Sequence, residues 1–366
     1  MGVFKNISLW FVIISVLFVV NYMFKFSLHT NIRTLYLDDL ATYSLLIKGN
    51  LFDAFFLSMA NKLRPVAHMI IYIAFKITGT DFQRLDILIL VWNLLIAVGV
   101  TVVTYQLIGD KASIWVKGGI TLVVGMLYSI SRFSYYVWTE VLGLMESTAL
   151  LLALGILYLL IQYVFDTRER DLYIADLLYL IVIYTHERYV LLGGVIFISI
   201  FLKHGIKKPL KYVAPVLVLI VFMLQRFLMF GNRFLDGTGG TSVIDTFNLQ
   251  DVWNHIISQG LYLLGINAGP AYLNGIGFES VSRHIGILIV IQIIFVSVCF
   301  FCYLLRIIKG CDIEEQKKSV LYISFIICCI VSSSITIRVE MRWIYVSYAA
   351  FLIYMAQILV YLIRYF

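Results

Sequence analysis

"RPVAHMIIYIAFKITG", residues 64–79, is the stretch on which the reading of the whole chain turns. It is apolar from Val66 to Ile77 except at His68 and Lys76. A helix needs about 20 mostly apolar residues to cross a bilayer, and this one falls short. If it crossed nonetheless, every later loop would change side. The composition makes a bilayer the right frame. The 366-residue chain is 61% hydrophobic and 13% charged, with a mean hydropathy of +0.94, whereas a soluble domain carries about 25% charged residues. An all-α polytopic membrane protein is therefore expected. The net charge of +7 does not imply nucleic acid, because in such a chain Lys and Arg mark cytoplasmic loops.

Outward from residues 64–79, apolar runs of spanning character occur at 7–27, 85–108, 118–134, 141–164, 172–185, 190–203, 212–230, 284–305, 319–335 and 343–363. The fifth and sixth are short and would run into their flanking loops. The first follows Lys5 and has no small-x-small cleavage signal after it, so it reads as an uncleaved span. Just before residues 64–79, "LFDAFFLSMANKL" (51–63) puts Phe52, Phe55, Phe56 and Met59 on one helical face, the pattern of an interfacial amphipathic helix. The distribution of Lys and Arg decides whether 65–79 crosses. If it does not, loops 109–117, 166–171, 203–211 and 306–318 share the side of the N-terminus and hold twelve Lys and Arg; the opposite loops 132–140, 184–189 and 336–342 hold four. The expectation is a single transmembrane domain, 1–366, with ten spans and both termini cytoplasmic. Residues 28–84 and 231–283 would form two large external loops.

That topology gathers polar residues on one face. "YLDDLATYSLLIKGN" (36–50) brings Asp38 and Asp39, and Arg64 follows in the same loop. "SYYVWTE" ends in Glu140, "THERY" holds His186, Glu187 and Arg188, and "RVEMRW" holds Arg338, Glu340 and Arg342. Each has a plainer explanation. The aspartates suit a helix N-cap and first turn. Tyr135, Tyr136 and Trp138 suit an interfacial aromatic belt. His186 and Arg188 suit headgroup anchors, and Glu340 suits a surface pair with its flanking arginines. Asp86 is expected to pair with Arg84. Separate caps and anchors, however, need not put acids and cations on the same face.

In this order of features the chain resembles the GT-C superfamily of integral-membrane glycosyltransferases. There the first span leads into an external loop with an acidic pair, an aromatic residue and a glycine, here Asp38, Asp39, Tyr43 and Gly49. A basic-proline step then opens an apolar helix ending in glycine, matched by Arg64, Pro65 and Gly79, and an Arg opens the next span, matched by Arg84. A later external acid matches Glu140, beside Trp138. A basic turn matches His186 and Arg188, and a late arginine matches Arg338 or Arg342.

The resemblance implies a small bacterial enzyme of the plasma (inner) membrane, with its active site extracytoplasmic. It implies a polyprenyl-phosphate-linked sugar as donor and a surface glycan or lipid-linked molecule as acceptor. Asp38 or Asp39 would be the base, with Asp39 favoured by its four-residue spacing to Tyr43. His186, Arg188, Arg338 and Arg342 would bind the donor phosphate. Glu140 would orient the acceptor or share a divalent metal, Mg or Mn, with the aspartates. A lipid-linked sugar flippase or transporter, a glycan polymerase or ligase, and a non-catalytic assembly protein that retains the scaffold are the alternatives. A transporter favours broken helices and midplane polar sites, and a polymerase typically has an Arg-rich late loop. Residues 231–283 hold only Arg233 and Arg283. The C-x-x-C of Cys299 and Cys302 lies mid-helix with no partner pair, so neither zinc nor a disulfide framework is expected.

Overall fold

The computed structural model describes the chain apart from residues 1, 28–31, 33, 36, 60, 109–112, 167, 237–246, 266–282, 311, 337–339 and 364–366. The chain is helical almost throughout and forms two compact units. The first comprises Met1–Leu57, Arg64–Leu151 and Tyr184–His186; the second comprises Ser58–Leu63, Leu152–Ile183 and Glu187–Phe366.

The first unit contains α1 (Gly2–Ser27), α2 (Leu37–Leu46), α3 (Leu51–Phe56), α4 (Pro65–Thr78), α5 (Phe82–Leu107), α6 (Ile114–Ser129), α7 (Tyr135–Thr139) and the start of α8 (Gly143–Phe165). The buried face of α1 is the i, i+4 row Leu9, Ile13, Leu17, Asn21 and Lys25. Most of its other apolar side chains remain exposed, as they would be against lipid. This face packs on α5 and α6. Gly118 permits the approach: a Cβ there would lie 2.6 Å from Leu9 Cδ1. Where the row turns polar it is bonded, with Asn21 Nδ2 3.3 Å from Ser129 Oγ. The helix starts follow the sequence. Asp81 caps α5 through the N–H groups of Gln83 and Arg84, and Pro65 occupies the first turn of α4, where no N–H is needed.

The second unit opens with a short antiparallel hairpin, β1 (Ser58–Met59) and β2 (Lys62–Leu63), paired Ser58 with Leu63 and Met59 with Lys62. It continues with the rest of α8, most of α9 (Glu169–Thr185), α10 (Leu192–His204), α11 (Val213–Phe230), α12 (Leu249–Leu263), α13 (Arg283–Lys309), α14 (Ile313–Ser334) and α15 (Tyr345–Ile363). Helix α15 is buried nearly all round and packs on α13 and α14. Tyrosines and a buried acid join the three helices. Tyr322 stacks on Tyr354 at 4.9 Å, Tyr303 Oη lies 2.8 Å from Ser319 Oγ, and Gln357 Nε2 donates to Glu315 at 3.1 Å. Inside a bilayer such bonds hold helices together, because burying apolar surface gains nothing over lipid contact.

Among the described residues, eight helices are long and apolar enough to cross a membrane: Ile7–Phe26, Phe82–Leu107, Gly143–Phe165, Glu187–Lys207, Pro209–Arg233, Ile289–Lys309, Ile313–Ser334 and Arg342–Ile363. The protein is thus an all-α, multi-pass membrane protein. The expected short run 190–203 gains length from 3-10 turns at both ends. The expected spans 118–134 and 172–185 fall on α6 and α9, of 16 and 17 residues. At 1.5 Å per residue these reach about 24–26 Å, short of a hydrocarbon core of about 30 Å. Helix α4, on which the topology turned, has 14 residues and is shorter still.

The single amphipathic helix expected over 51–63 does not form. Helix α3 stops at Phe56, and the polar residues after it turn back in the β1–β2 hairpin, with Asn61 at φ 57°. Asn tolerates that left-handed conformation better than most residues.

Candidate functional site

Several of the singled-out residues of the first unit meet at the start of α8. Asp38 and Asp39 lie in the first turn of α2, and there they diverge. Asp38 is exposed; Asp39 is buried. The Asp39 carboxylate accepts the Val141 N–H at 2.8 Å on Oδ2 and the Leu142 N–H at 2.9 Å on Oδ1. Those amides immediately precede α8, so Asp39 caps that helix from about a hundred residues away. Burial pushes its carboxyl up to about 6. The two amide bonds pull the other way, and the neighbouring charge of Asp38 adds to the rise.

Further along α8, Arg64 Nη1 lies 3.5 Å from Met145 Sδ. His186 Nε2 lies 3.7 Å from Glu146 Oε1, with both side chains buried. Trp92 Nε1 donates to Ser147 Oγ at 2.9 Å. Tyr43 packs its ring edge-on against Phe75 at 5.0 Å, joining α2 to α4. Glu140 is half-buried at the end of α7, and the two amides held by Asp39 follow it directly. The start of α8 therefore gathers one exposed acid, one tied acid, a half-buried cation and a buried His–Glu pair. Glu146 was absent from the residues singled out in the sequence. The available signal was an acid within the apolar run "VLGLMESTALL".

Two expectations in this unit are corrected. Asp86 pairs with Lys25, at 2.7 Å, not with Arg84. Arg84 instead faces Asp81 at 3.2 Å on an exposed surface. Lys25 also donates to the Trp138 carbonyl at 2.5 Å, and Asp86 accepts the Ile32 N–H at 2.8 Å. These extra bonds offset the cost of burying both charges. Trp138 and Tyr136 do not form an aromatic belt, because both are buried. Trp138 packs against Phe24 and donates to the Ser129 carbonyl at 3.3 Å.

The other predicted cations belong to the second unit. Arg188 is buried, with its guanidinium 5.1 Å from the centre of the Trp343 ring, and its carbonyl accepts the Ser332 hydroxyl. Arg342 forms an ion pair with the fully buried Glu340. Arg338 lies outside the described residues. Arg226, which was not anticipated, is also buried and binds the Phe234 and Asp236 carbonyls, each at 2.6 Å. Arg188 and Arg226 line one cavity of about 200 Å³ with Phe222, Asp236 and Ser332.

No three His, Cys, Asp or Glu gather among the described residues, and each Asp39 oxygen already accepts an amide. No protein-family model, curated protein or solved structure matches the chain.

Proposed function

We propose that this protein is an inverting membrane glycosyltransferase of the GT-C type. It would move a sugar from a polyprenyl-phosphate donor to a hydroxyl of a surface glycan or lipid-linked acceptor. The chemistry would take place on the outer face of the plasma membrane, in a ten-span chain with cytoplasmic termini. The observation that carries this reading is the divergence of the acid pair. Asp39 is occupied as the brace of α8, which leaves exposed Asp38 beside it as the acid a substrate can reach.

Asp38 then accepts the acceptor hydroxyl proton as the oxygen attacks the anomeric carbon. The bond from that carbon to the phosphate oxygen breaks, and polyprenyl phosphate departs with the electron pair. Arg64 and His186 are the cationic or N–H-bearing groups of the same unit that would stabilise the departing phosphate. Attack from the side opposite the leaving group inverts the configuration. This assignment moves the base from Asp39, which the spacing to Tyr43 favoured, to Asp38.

The test is sugar transfer in proteoliposomes from a panel of defined polyprenyl-phosphate sugars, with products read by mass spectrometry. Covalent product that vanishes with Asp38→Asn supports the reading. Movement of the donor across the bilayer without covalent product would replace it with a lipid-sugar transporter. One observation favours that second reading: Asp176 on α9 is buried, and neither carboxylate oxygen has a hydrogen-bond partner. A buried ionisable group in a membrane bundle often marks a translocation path.

A further inference from the structure

Helix α12 carries three separate faces. Val252, Gln259, Tyr262 and Leu263 are buried against the rest of the second unit. Asp251 and Ser258 lie on a polar side, while Gln250 and Asn254, seven residues before Ile257 and Leu261, lie at the border between that side and the apolar row. Between the buried face and the polar side runs the row Leu249, Trp253, Ile257 and Leu261, spaced four apart, whose members are 72%, 58%, 46% and 37% exposed. A row of large apolar side chains this open needs a partner if the helix is to be stable in water.

The depth of α12 in the molecule indicates the partner. Its buried face is bonded to the last residues of spanning helix α14. Gln259 Nε2 donates to Ser334 Oγ at 3.0 Å, Ser333 Oγ donates to Gln259 Oε1 at 2.5 Å, and His255 Nδ1 lies 3.2 Å from the Ser334 carbonyl oxygen. Just past its C-terminal end, a Cβ on Gly265 would lie 3.5 Å from Ile289 Cγ2. Ile289 opens the apolar window of spanning helix α13. Only residues 310–312 separate α13 from α14, so the start of one window and the end of the other lie at the same membrane boundary. Helix α12 is attached at that boundary. From that boundary α13 carries an open apolar surface of its own, with Ile287, Val290, Ile291 and Ile294 exposed.

We infer that α12 is an interfacial helix whose Leu249–Trp253–Ile257–Leu261 row is embedded in the bilayer at the headgroup–acyl boundary. The occupant of the row is lipid, because α12 is attached where the apolar runs of two spanning helices begin and end, which is the height of the headgroup–acyl boundary. Residues 247–265 contain no Lys or Arg, so the contact is hydrophobic and does not depend on anionic lipid. The Trp indole suits this depth, with an apolar ring and one N–H donor. Through Gln259 the same helix fixes the end of α14, one to two residues beyond Ser332, which bonds the Arg188 carbonyl.

The test uses the full chain with its native cysteines replaced, reconstituted in phosphatidylcholine nanodiscs. Nitroxide labels are placed singly at Leu249→Cys, Trp253→Cys and Ile257→Cys on the row, and at Asp251→Cys and Ser258→Cys on the polar side. Row positions should be more accessible to oxygen than to a water-soluble nickel chelate, and polar positions the reverse. The pattern should persist with phosphatidylglycerol present and at high salt. Water-like accessibility along the row would overturn the inference. So would protection from both relaxers, which would mean that protein covers the row, or insertion only into anionic bilayers. A second measurement leaves the fold unperturbed: quenching of native fluorescence by lipids brominated at known depths, with the Trp253→Phe spectrum subtracted. No depth-dependent quenching of the Trp253 component would also overturn it.

Discussion

The Asp39 carboxylate lies 2.8 Å from the Val141 amide nitrogen, 102 positions along the chain. This bond ties the loop after the first span to the entrance of α8. It also separates two acids that look equivalent in the sequence. Asp39→Ala leaves the Val141 and Leu142 N–H groups without their acceptor, which should cost about 2–4 kcal/mol. Asp38→Asn should leave stability unchanged and lower sugar transfer by roughly a hundredfold or more. Thermal unfolding of purified protein, measured beside the transfer assay, separates the two effects. Normal turnover in Asp38→Asn would remove Asp38 as the base.

Asp39 also gives stability a pH dependence of known sign. Its carboxyl is raised from 3.8 to about 6 in the folded chain. The folded state therefore binds more protons between those values, and this stabilising contribution, full below the lower value, is lost as pH rises through the upper one. The loss is on the order of 2–3 kcal/mol. Unfolding followed from pH 4 to pH 7 should show wild type declining relative to Asp39→Asn by that amount. Parallel curves would contradict it.

The Lys25–Asp86 pair is buried and bonded on both sides, so removing one partner strands the other. Lys25→Met alone should cost about 3–5 kcal/mol, and adding Asp86→Leu should restore most of it. Arg84→Ala should change stability by less than about 1 kcal/mol, because its pair with Asp81 is exposed. Equal effects of Lys25→Met and Arg84→Ala would contradict the pairing.

If Glu146 orients His186 for the leaving phosphate, Glu146→Gln should lower kcat with little change in donor KM and shift the pH profile of kcat. Glu146→Asp should recover part of the activity. A structural role alone would lower the folded fraction and leave the profile in place.

The proposed ten-span topology predicts that Lys208 and Asn232, on either side of α11, lie on opposite sides of the membrane. In intact cells, cysteine at Asn232 should react with an impermeant thiol reagent, and cysteine at Lys208 should not. The opposite pattern would reverse the topology and the side of the proposed chemistry.

The membrane class and the positions of most helices could be read from the chain, because hydropathy is a one-dimensional signal and bilayer thickness is a fixed length. The brevity of α4 was legible for the same reason, from Pro65 to Gly79. That 190–203 must run into its flanking loops was legible from its shortness; that it does so by the 3-10 turns Glu187–Leu191 and Gly205–Lys207 was not, because such turns carry no apolar period of their own. The acids and cations of the loops were visible as residue types. Their partners were not, because pairing depends on which helix ends meet.

Lys25 illustrates the difference. In the sequence it closes an apolar run as an ordinary flanking cation, while Arg84 is only two residues from Asp86. In the fold, the i, i+4 row of α1 carries Lys25 inward to Asp86, and Arg84 turns outward. Asp38 and Asp39 differ only in their direction from α2, about 100° apart per residue, yet one reaches the N-terminus of α8 and the other reaches water. Composition and spacing specify a chain of membrane helices with charged loops. Which charges are spent on holding the helices, and which stay exposed, is decided by packing, because a buried charge must find a partner wherever the fold places one.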